Sequence, residues 1–401
     1  MGKAGRDGPL FFGLWRLRHV AVAAALTWSA VVLWARSRHP RLATGFVLST
    51  GAIVVGLLAS EAIGFLAGID WNATLSGGGK LTLGHKAIPH LEASGVAQQD
   101  IALSCGLPFE RVPYHFRADQ RGFRNAVDRD EADLYLLGDS FIVAGLVPAS
   151  DLVGSLLEAR SGRTAMNVAL SGISPQAERD LLLGSGLPLE GRLVLHFVFE
   201  GNDLVDSAAY QRGEPAGVAT SSFIDRSLCV ALIVHLQRVT ERWVTTPPCS
   251  KGLLGNETYL FGWLRSSFAG FEDQCQVVGD TLFGLRDEVR KRGGEYAVVL
   301  IPAKIRVVGP FCTWPPDSTI TDVESNLNPL RAFLAQWSRE HEVPLLDLTE
   351  PLTHSVEAGR VPWFRGDTHW NSVGHAVAAE AIASWPPFAQ WLAREPSAKS
   401  H

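Results

Sequence analysis

Residues 132–141 read ADLYLLGDSF: an apolar run that stops at Gly138-Asp139 and delivers a serine, Ser140, directly after the break. A short unbroken apolar run bounded by turn residues is the pattern of a strand buried on both faces, as in parallel sheets. The pattern recurs downstream. Asp151–Arg160 has the spacing of an amphipathic helix, and Thr164–Leu170 reads as a strand broken by Ser171-Gly172. Pro175 opens a helix, where its fixed φ suits the first turn. Arg192–Phe199 is a third strand, ending at Glu200-Gly201-Asn202-Asp203. A helix from about Gln276 to Arg292, a strand Tyr296–Ile301, a helix near Leu330–Glu340, a strand Val343–Leu348 and a last helix Ser372–Ser384 complete the series. Strands alternating with helices of these lengths predict a mostly parallel sheet covered on both faces, a three-layer α/β/α fold.

Upstream of this block the chain changes character. Val20–Ala35 (VAVAAALTWSAVVLWA) and Leu42–Ser60 (LATGFVLSTGAIVVGLLAS) carry no charge, and a bilayer crossing needs about 20 mainly apolar residues. The flank LWARSRHPR offers no small-residue cleavage site, and neither run shows the polar face of a soluble surface helix. Two transmembrane helices are therefore expected before the α/β domain. The three arginines of the loop RSRHPR favour a cytoplasmic loop with both ends outside, and Lys3, Arg6, Arg16 and Arg18 pull the other way. The expected layout is a tail over 1–19, a transmembrane hairpin over 20–68 and a linker and entry segment over 69–128. The α/β domain follows over 129–390 with an aperiodic insertion at 204–272, and then a tail over 391–401.

Composition narrows the classes. Of the 401 residues 46% are hydrophobic and 19% charged, with a net charge of −5. No basic stripe follows residue 70, which argues against nucleic acid as a partner. The five cysteines (105, 229, 249, 275 and 312) contain no Cys-x-x-Cys pair, so zinc ribbons and thioredoxin chemistry are unsupported. Buried thiols and extracytoplasmic disulfides both remain open, and an odd count leaves at least one cysteine over.

Ligands of open parallel sheets bind beyond the carboxyl ends of the strands. That rule selects Gly138-Asp139-Ser140, Ser171-Gly172 and Gly201-Asn202-Asp203, to which the loop FRGDTHWNSVGH (364–375) adds Asp367 and His369. Together they supply acyl-transfer chemistry. Ser140 is a nucleophile once a base takes its proton. His369 is that base, oriented by Asp367, because residues two apart on extended chain point the same way. The backbone N–H groups of Ser140 and Gly172 and the Asn202 amide are candidate oxyanion donors.

The set GDSF (138–141), the glycine in NVALSGISP (167–175), GND (201–203) and DTHWNSVGH (367–375), in that order and after a GFR at 122–124, resembles the SGNH (GDSL) hydrolase family over roughly residues 115–390. The resemblance implies the flavodoxin-like SGNH fold, with Ser140, Gly172, Asn202 and His369 as hallmark residues. One departure stands out: many members place the acid three residues before the histidine, where this chain has Gly366. The Asp-x-His-Trp cassette is similar to that of alginate-type polysaccharide O-acetylation proteins, which carry it ahead of the serine rather than after it. These likenesses imply serine-dependent ester chemistry on an extracytoplasmic glycan, with hydrolysis placed ahead of transfer and no cofactor or metal. The alternatives are a polysaccharide O-acetyltransferase fed by a membrane acyl-donor protein and a non-catalytic glycan-binding module. The expected partners are thus a glycan or small acyl ester, the bilayer and such a donor.

Blander readings stand beside these. Ser140 is also a natural helix cap, Asn202 a natural turn residue, and His375 is taken as structural. Lys304 and Arg306 read as solvated loop charges ahead of an anion site. Trp314, Trp363 and Trp370 read as packing ahead of sugar stacking. Gly-Asp-Thr-His also suggests a metallophosphoesterase opening, but the further ligand motifs do not follow.

Overall fold

The computed structural model describes residues 17–66, 87, 89–105, 107, 109–212, 228, 232, 250–264, 270–316, 318, 320 and 322–394. The chain divides into two compact units, one of 1–82 with 218–247 and one of 83–217 with 248–401.

The first unit contributes α1 (Leu17–Arg38) and α2 (Pro40–Leu66). Within α2 the 20-residue stretch Thr44–Ile63 is long and apolar enough to cross a membrane, and it buries none of its most apolar part. Leu48, Ile53, Val55 and Leu58 are all exposed. The second crossing expected over the first apolar run is not shown. In α1 the charge-free stretch spans only Val20–Ala35 between arginines and is alanine-rich, interrupted by Thr27, Trp28 and Ser29, which falls short of a hydrophobic span.

The second unit opens with the antiparallel pair β1 (Glu92–Ala97) and β2 (Val112–Arg117), joined through the short helix α3 (Asp100–Cys105). The central alternation follows: β3 (Leu134–Leu137), α4 (Ser140–Val143), α5 (Val153–Ser161), β4 (Ala165–Asn167), α6 (Pro175–Gly184), β5 (Leu193–Phe199) and α7 (Asp203–Gln211). A hairpin of β6 (Ser250–Leu254) and β7 (Glu257–Phe261) lies within the region read as an aperiodic insertion. The chain resumes with α8 (Gln274–Lys291), β8 (Glu295–Ile301), α9 (Lys304–Val307), α10 (Leu330–Glu340), β9 (Leu345–Asp347), α11 (Thr349–Glu357), α12 (Ser372–Ser384) and α13 (Pro386–Leu392).

The five-stranded sheet has the order β4-β3-β5-β8-β9, and every pairing is parallel. Counted along the chain this is 2-1-3-4-5, the flavodoxin-like order, which reverses direction between β3 and β5. Both faces are covered. Leu134 and Leu136 join one apolar cluster with Phe197 and Ile382, while Tyr135 and Leu137 join another with Val198 and Leu285. Strict alternation of side chains along each strand sends successive residues to opposite layers, which is why the strand runs read as continuously apolar. Every residue of β5 is buried. The loops that leave the carboxyl ends of β3, β4 and β5 therefore emerge around the switch point, where a crevice forms.

Candidate active site

The turn that carries Ser140 is built by the residues on either side of it. Asp139, not Ser140, caps α4, its carboxylate accepting the Phe141 N–H at 3.0 Å. The half-buried Ser140 hydroxyl lies 3.5 Å from Asp139 Oδ2 and, much closer, 2.7 Å from His369 Nε2. One turn later the helix stops at Ala144, held in the left-handed region at φ 47°. Arg124, the arginine of the GFR block, is buried beneath it and donates to the carbonyls of Val143 at 2.7 Å and of Ala144 and Val147. Burial pushes this guanidinium down to about 10.

His369 and Asp367 are brought together as the motif required. His369 Nδ1 and the His369 N–H both bond Asp367 Oδ1, at 2.7 and 3.0 Å. Burial alone would lower the imidazole, but the Asp367 bond and charge, with the charges of Asp100 and Asp139, raise it to about 9. Burial likewise opposes ionisation of Asp367, and the bonds from His369 and Asp100 overcome it and hold the carboxyl below its usual range. The histidine is thus poised between a hydroxyl and a charged acid.

Two residues that the sequence reading did not assign to the site complete it. The Asp100 N–H donates to Asp367 Oδ2 at 2.8 Å, and Asp100 Oδ1 accepts the Thr368 N–H at 2.7 Å. Beside it Gln99 Oε1 accepts the Gly366 N–H at 2.6 Å, and Ala102 N–H donates to the Gly366 carbonyl at 2.9 Å. Burial, then the Asp367 charge, raises the Asp100 carboxyl. From the other side Lys304 Nζ reaches the carbonyls of Phe364, Arg365 and Asp367 at 2.8, 2.8 and 3.2 Å. Asp100 had no local signal, because its partners lie far along the chain. Lys304 had one: it follows β8, at the carboxyl edge that the sheet rule marks.

The same packing explains the departure from the family pattern. A Cβ on Gly366 would stand 2.7 Å from Phe109 Cδ1 and 3.1 Å from Ala102 Cβ. An acid at that position has no room, and the carboxylate comes instead from Asp367.

The oxyanion candidates follow the neighbouring strands. Gly172 adopts φ 69°, a conformation that glycine takes without a Cβ penalty. The preceding loop is tied to the serine turn, Leu170 N–H donating to the Gly138 carbonyl at 3.3 Å. Asn202 is buried at the head of α7 and donates from Nδ2 to Asp206. Its amide also bonds Asp139, so carboxylates engage it on two sides. Burial raises Asp206 to about 6 against the pull of that amide.

Of the other candidates, only Lys304 and Arg306 resolve differently from their first reading; the three tryptophans and His375 resolve as packing and structural residues, as read. Lys304 is buried rather than solvated, and Arg306 is paired with Glu200, Nε standing 2.9 and 2.8 Å from its two oxygens. Neither is a free anion receptor. Trp363 and Trp370 are 1% and 0% exposed, so no sugar ring reaches them. They pack edge to face, and Trp370 packs on Phe141, the residue after Ser140, at 5.3 Å. Trp314 packs on Phe261 at 5.0 Å. His375 is structural: it is buried, and burial drives it down to about 3. Cys105 is disulfide-bonded, Cys275 and Cys312 are free thiols, and Cys229 and Cys249 lie outside the described residues. Asp100, Asp367 and His369 each bring one atom within 4.8 Å of the others, a spacing a metal ion would accept. The bonds described above already engage those groups.

A switch-point serine joined to a histidine and an acid on a 2-1-3-4-5 parallel sheet is the arrangement that makes this chain similar to SGNH hydrolase-like proteins. Comparison with known proteins carries the same resemblance: residues 265–398 match the family described as the SGNH hydrolase-like domain of acetyltransferase AlgX. That span contains Lys304, Asp367 and His369, and Ser140, Gly172 and Asn202 precede it. The chain is 30% identical over 132 residues to a probable alginate O-acetylase, AlgJ, of Pseudomonas putida. The match covers 33% of this chain and 32% of that protein, so the chain spans about a third of the curated relative's length. Among solved structures, the psychrotrophic esterase EstA from Pseudoalteromonas sp. aligns with 65% of this chain and 98% of its own, at 11% identity and TM-score 0.33. The acetyl xylan esterase AlAXEase aligns with 63% and 98%, at 11% identity and TM-score 0.35.

Proposed function

We propose that this chain transfers an acyl group, in the simplest case acetyl, to a hydroxyl of an extracytoplasmic glycan through an acyl-Ser140 intermediate. The observation that carries the proposal is the continuous bonding from Ser140 Oγ through His369 to Asp367. Ser140 Oγ attacks the acyl carbonyl while its proton passes to His369 Nε2, and Asp367 stabilises the imidazolium that forms. The carbonyl oxygen becomes an oxyanion facing the N–H groups of Ser140 and Gly172, with the Asn202 amide as a third donor once it turns from a carboxylate. As the tetrahedral centre collapses, the bond to the donor's oxygen breaks and the imidazolium returns its proton to that oxygen. An acceptor hydroxyl then gives its proton to His369, attacks the acyl-serine and restores the Ser140 hydroxyl.

The acceptor distinguishes the two activities, since water would make the same cycle an esterase. The segment carrying Asp367 and His369 matches an acetyltransferase family, which supports transfer over hydrolysis. The placement outside the cytoplasm draws support from the disulfide at Cys105, since such bonds persist in oxidising compartments. The bare apolar surface of α2 is what a bilayer would cover. Cytosolic acetyl-coenzyme A does not reach that side, so a membrane protein that delivers the acyl group completes the scheme.

The test is turnover of p-nitrophenyl acetate by the full chain in detergent, with and without a short glycan acceptor, for wild type, Ser140→Ala and His369→Ala. Wild-type turnover lost in both variants, with acetyl appearing on the glycan, is expected. Ester cleavage that leaves every acceptor unmodified would return the reading to esterase. Three equally inert, folded proteins that still bind glycan would favour a binding module.

A further inference from the structure

Lys304 opens α9 just beyond the carboxyl end of β8, and its side chain runs inward until the residue is only 4% exposed. Burying an ammonium is costly unless its donors are used. Here all of them are. An ammonium has three N–H donors and no acceptor, and three carbonyls, of Phe364, Arg365 and Asp367, receive them. The rings of Tyr259 and Phe261 lie 5.4 and 5.6 Å from Nζ and close the site on the hairpin side. Burial lowers this lysine to about 7, while the charges of Asp367, Asp100, Cys312 and Glu110 pull it back up.

The three carbonyls belong to the stretch that presents the acid and the base. The peptide joining Asp367 to Thr368 is gripped at both ends, its carbonyl by Lys304 and its N–H by Asp100 Oδ1. Two peptides earlier, the peptide joining Arg365 to Gly366 is gripped in the same way, its N–H by Gln99 and its carbonyl by Lys304 and by the Leu260 N–H at 2.8 Å. Between Trp363 and Trp370, which an isolated antiparallel bridge pairs, this stretch has neither helix nor ladder. Rotation of the gripped peptide would swing the Asp367 carboxylate and the His369 ring together, away from Ser140.

We infer that Lys304 is a positioning residue of the acyl-transfer site: its ammonium clamps the carbonyl side of residues 364–367 so that Asp367 and His369 stand in line with Ser140. The inference rests on the acyl-serine reading above for its kinetic consequence, and on the three bonds for its geometry. A clamp of this kind acts on the chemical step and leaves ground-state binding alone.

Lys304→Met keeps the stem and removes the donors. Lys304→Arg keeps the charge but spreads its donors in a planar fork that does not converge on three carbonyls. In the full chain in detergent, below about pH 7 where the ammonium is present, kcat for p-nitrophenyl acetate is expected to fall about 10²-fold in folded Lys304→Met and less in Lys304→Arg, with KM within about twofold of wild type in both. Where Lys304→Met does not fold, Lys304→Arg carries the same comparison. A folded variant with unchanged kcat, or with raised KM at unchanged kcat, would overturn the inference. If wild type proves as inert as Ser140→Ala, the acyl-serine reading fails by itself, and hydrogen exchange decides the clamp. Amides of residues 364–369 are then expected to exchange faster in Lys304→Arg than in wild type, and equal exchange would overturn it.

Discussion

Two histidines in one short stretch show how little residue type decides. His369 and His375 are both desolvated, yet one rises to about 9 and the other sinks to about 3. The difference is the partner. Asp367 faces His369 with a charge, whereas His375 meets the Val153 N–H at 3.4 Å and the repulsion of Arg124. Only unprotonated Nε2 accepts the Ser140 proton, so kcat/KM is expected to climb about tenfold per pH unit toward a midpoint near that of His369. Asp367→Asn removes the bond and charge that raise the imidazole. A pH–rate profile should then show the midpoint moved to lower pH and a maximal rate lower by on the order of 10⁴-fold. For His375 the sign reverses. Its folded pKa lies below the unfolded 6.5, so the stability it contributes is present above 6.5 and lost as pH falls toward about 3. Denaturant titrations over that window are expected to show a shallower loss in His375→Gln than in wild type.

At the scale of elements, the site is one tight turn after β3 and one loop ahead of α12. Asn371 ties that loop to its helix, its oxygen accepting the Val373 and Gly374 N–H groups at 2.9 and 3.2 Å. Its amide donates in turn to the carbonyls of Val361 and Trp363. Gly366 sits where α3 and the loop meet, and the contact leaves no space for a methyl group. Gly366→Ala is expected to cost about 1–3 kcal/mol of stability, as overpacking does, and to lower kcat by shifting Asp367. Thermal unfolding beside steady-state kinetics would show both, and an unperturbed variant would mean that α3 yields freely. The strand and helix blocks were legible because each carries its own period. β1, α3 and β2 were not, since 69–128 is short on periodicity and glycine-rich at its start, and α3 takes its importance from the loop it holds.

Over the whole molecule, the chain joins an apolar helix to an α/β domain whose entry segment is cross-linked. The disulfide at Cys105 closes the end of α3, whose first residue bonds Asp367. Reduction is expected to lower the unfolding free energy by about 2–4 kcal/mol, read as a drop in Tm with reductant. Thiol alkylation before and after reduction should add Cys105 to the labelled set only afterward. No loss of stability on reduction would show that α3 is held by its loop contacts alone.

The sequence by itself determined the layered sheet, the switch-point position of Ser140 and the pairing of Asp367 with His369. Each of these depends on neighbours along the chain: apolar runs, a break at glycine, an acid two residues before a histidine. Tertiary structure alone decided what surrounds them. Asp100 and Lys304 reach the loop across 267 and 63 residues of chain. The burial that closes Trp363 and Trp370 off from any sugar ring, and turns Lys304 from a surface charge into an internal clamp, depends on the layers closing around them. Desolvation and long-range bonds belong to the folded state, and no local pattern of residues encodes them.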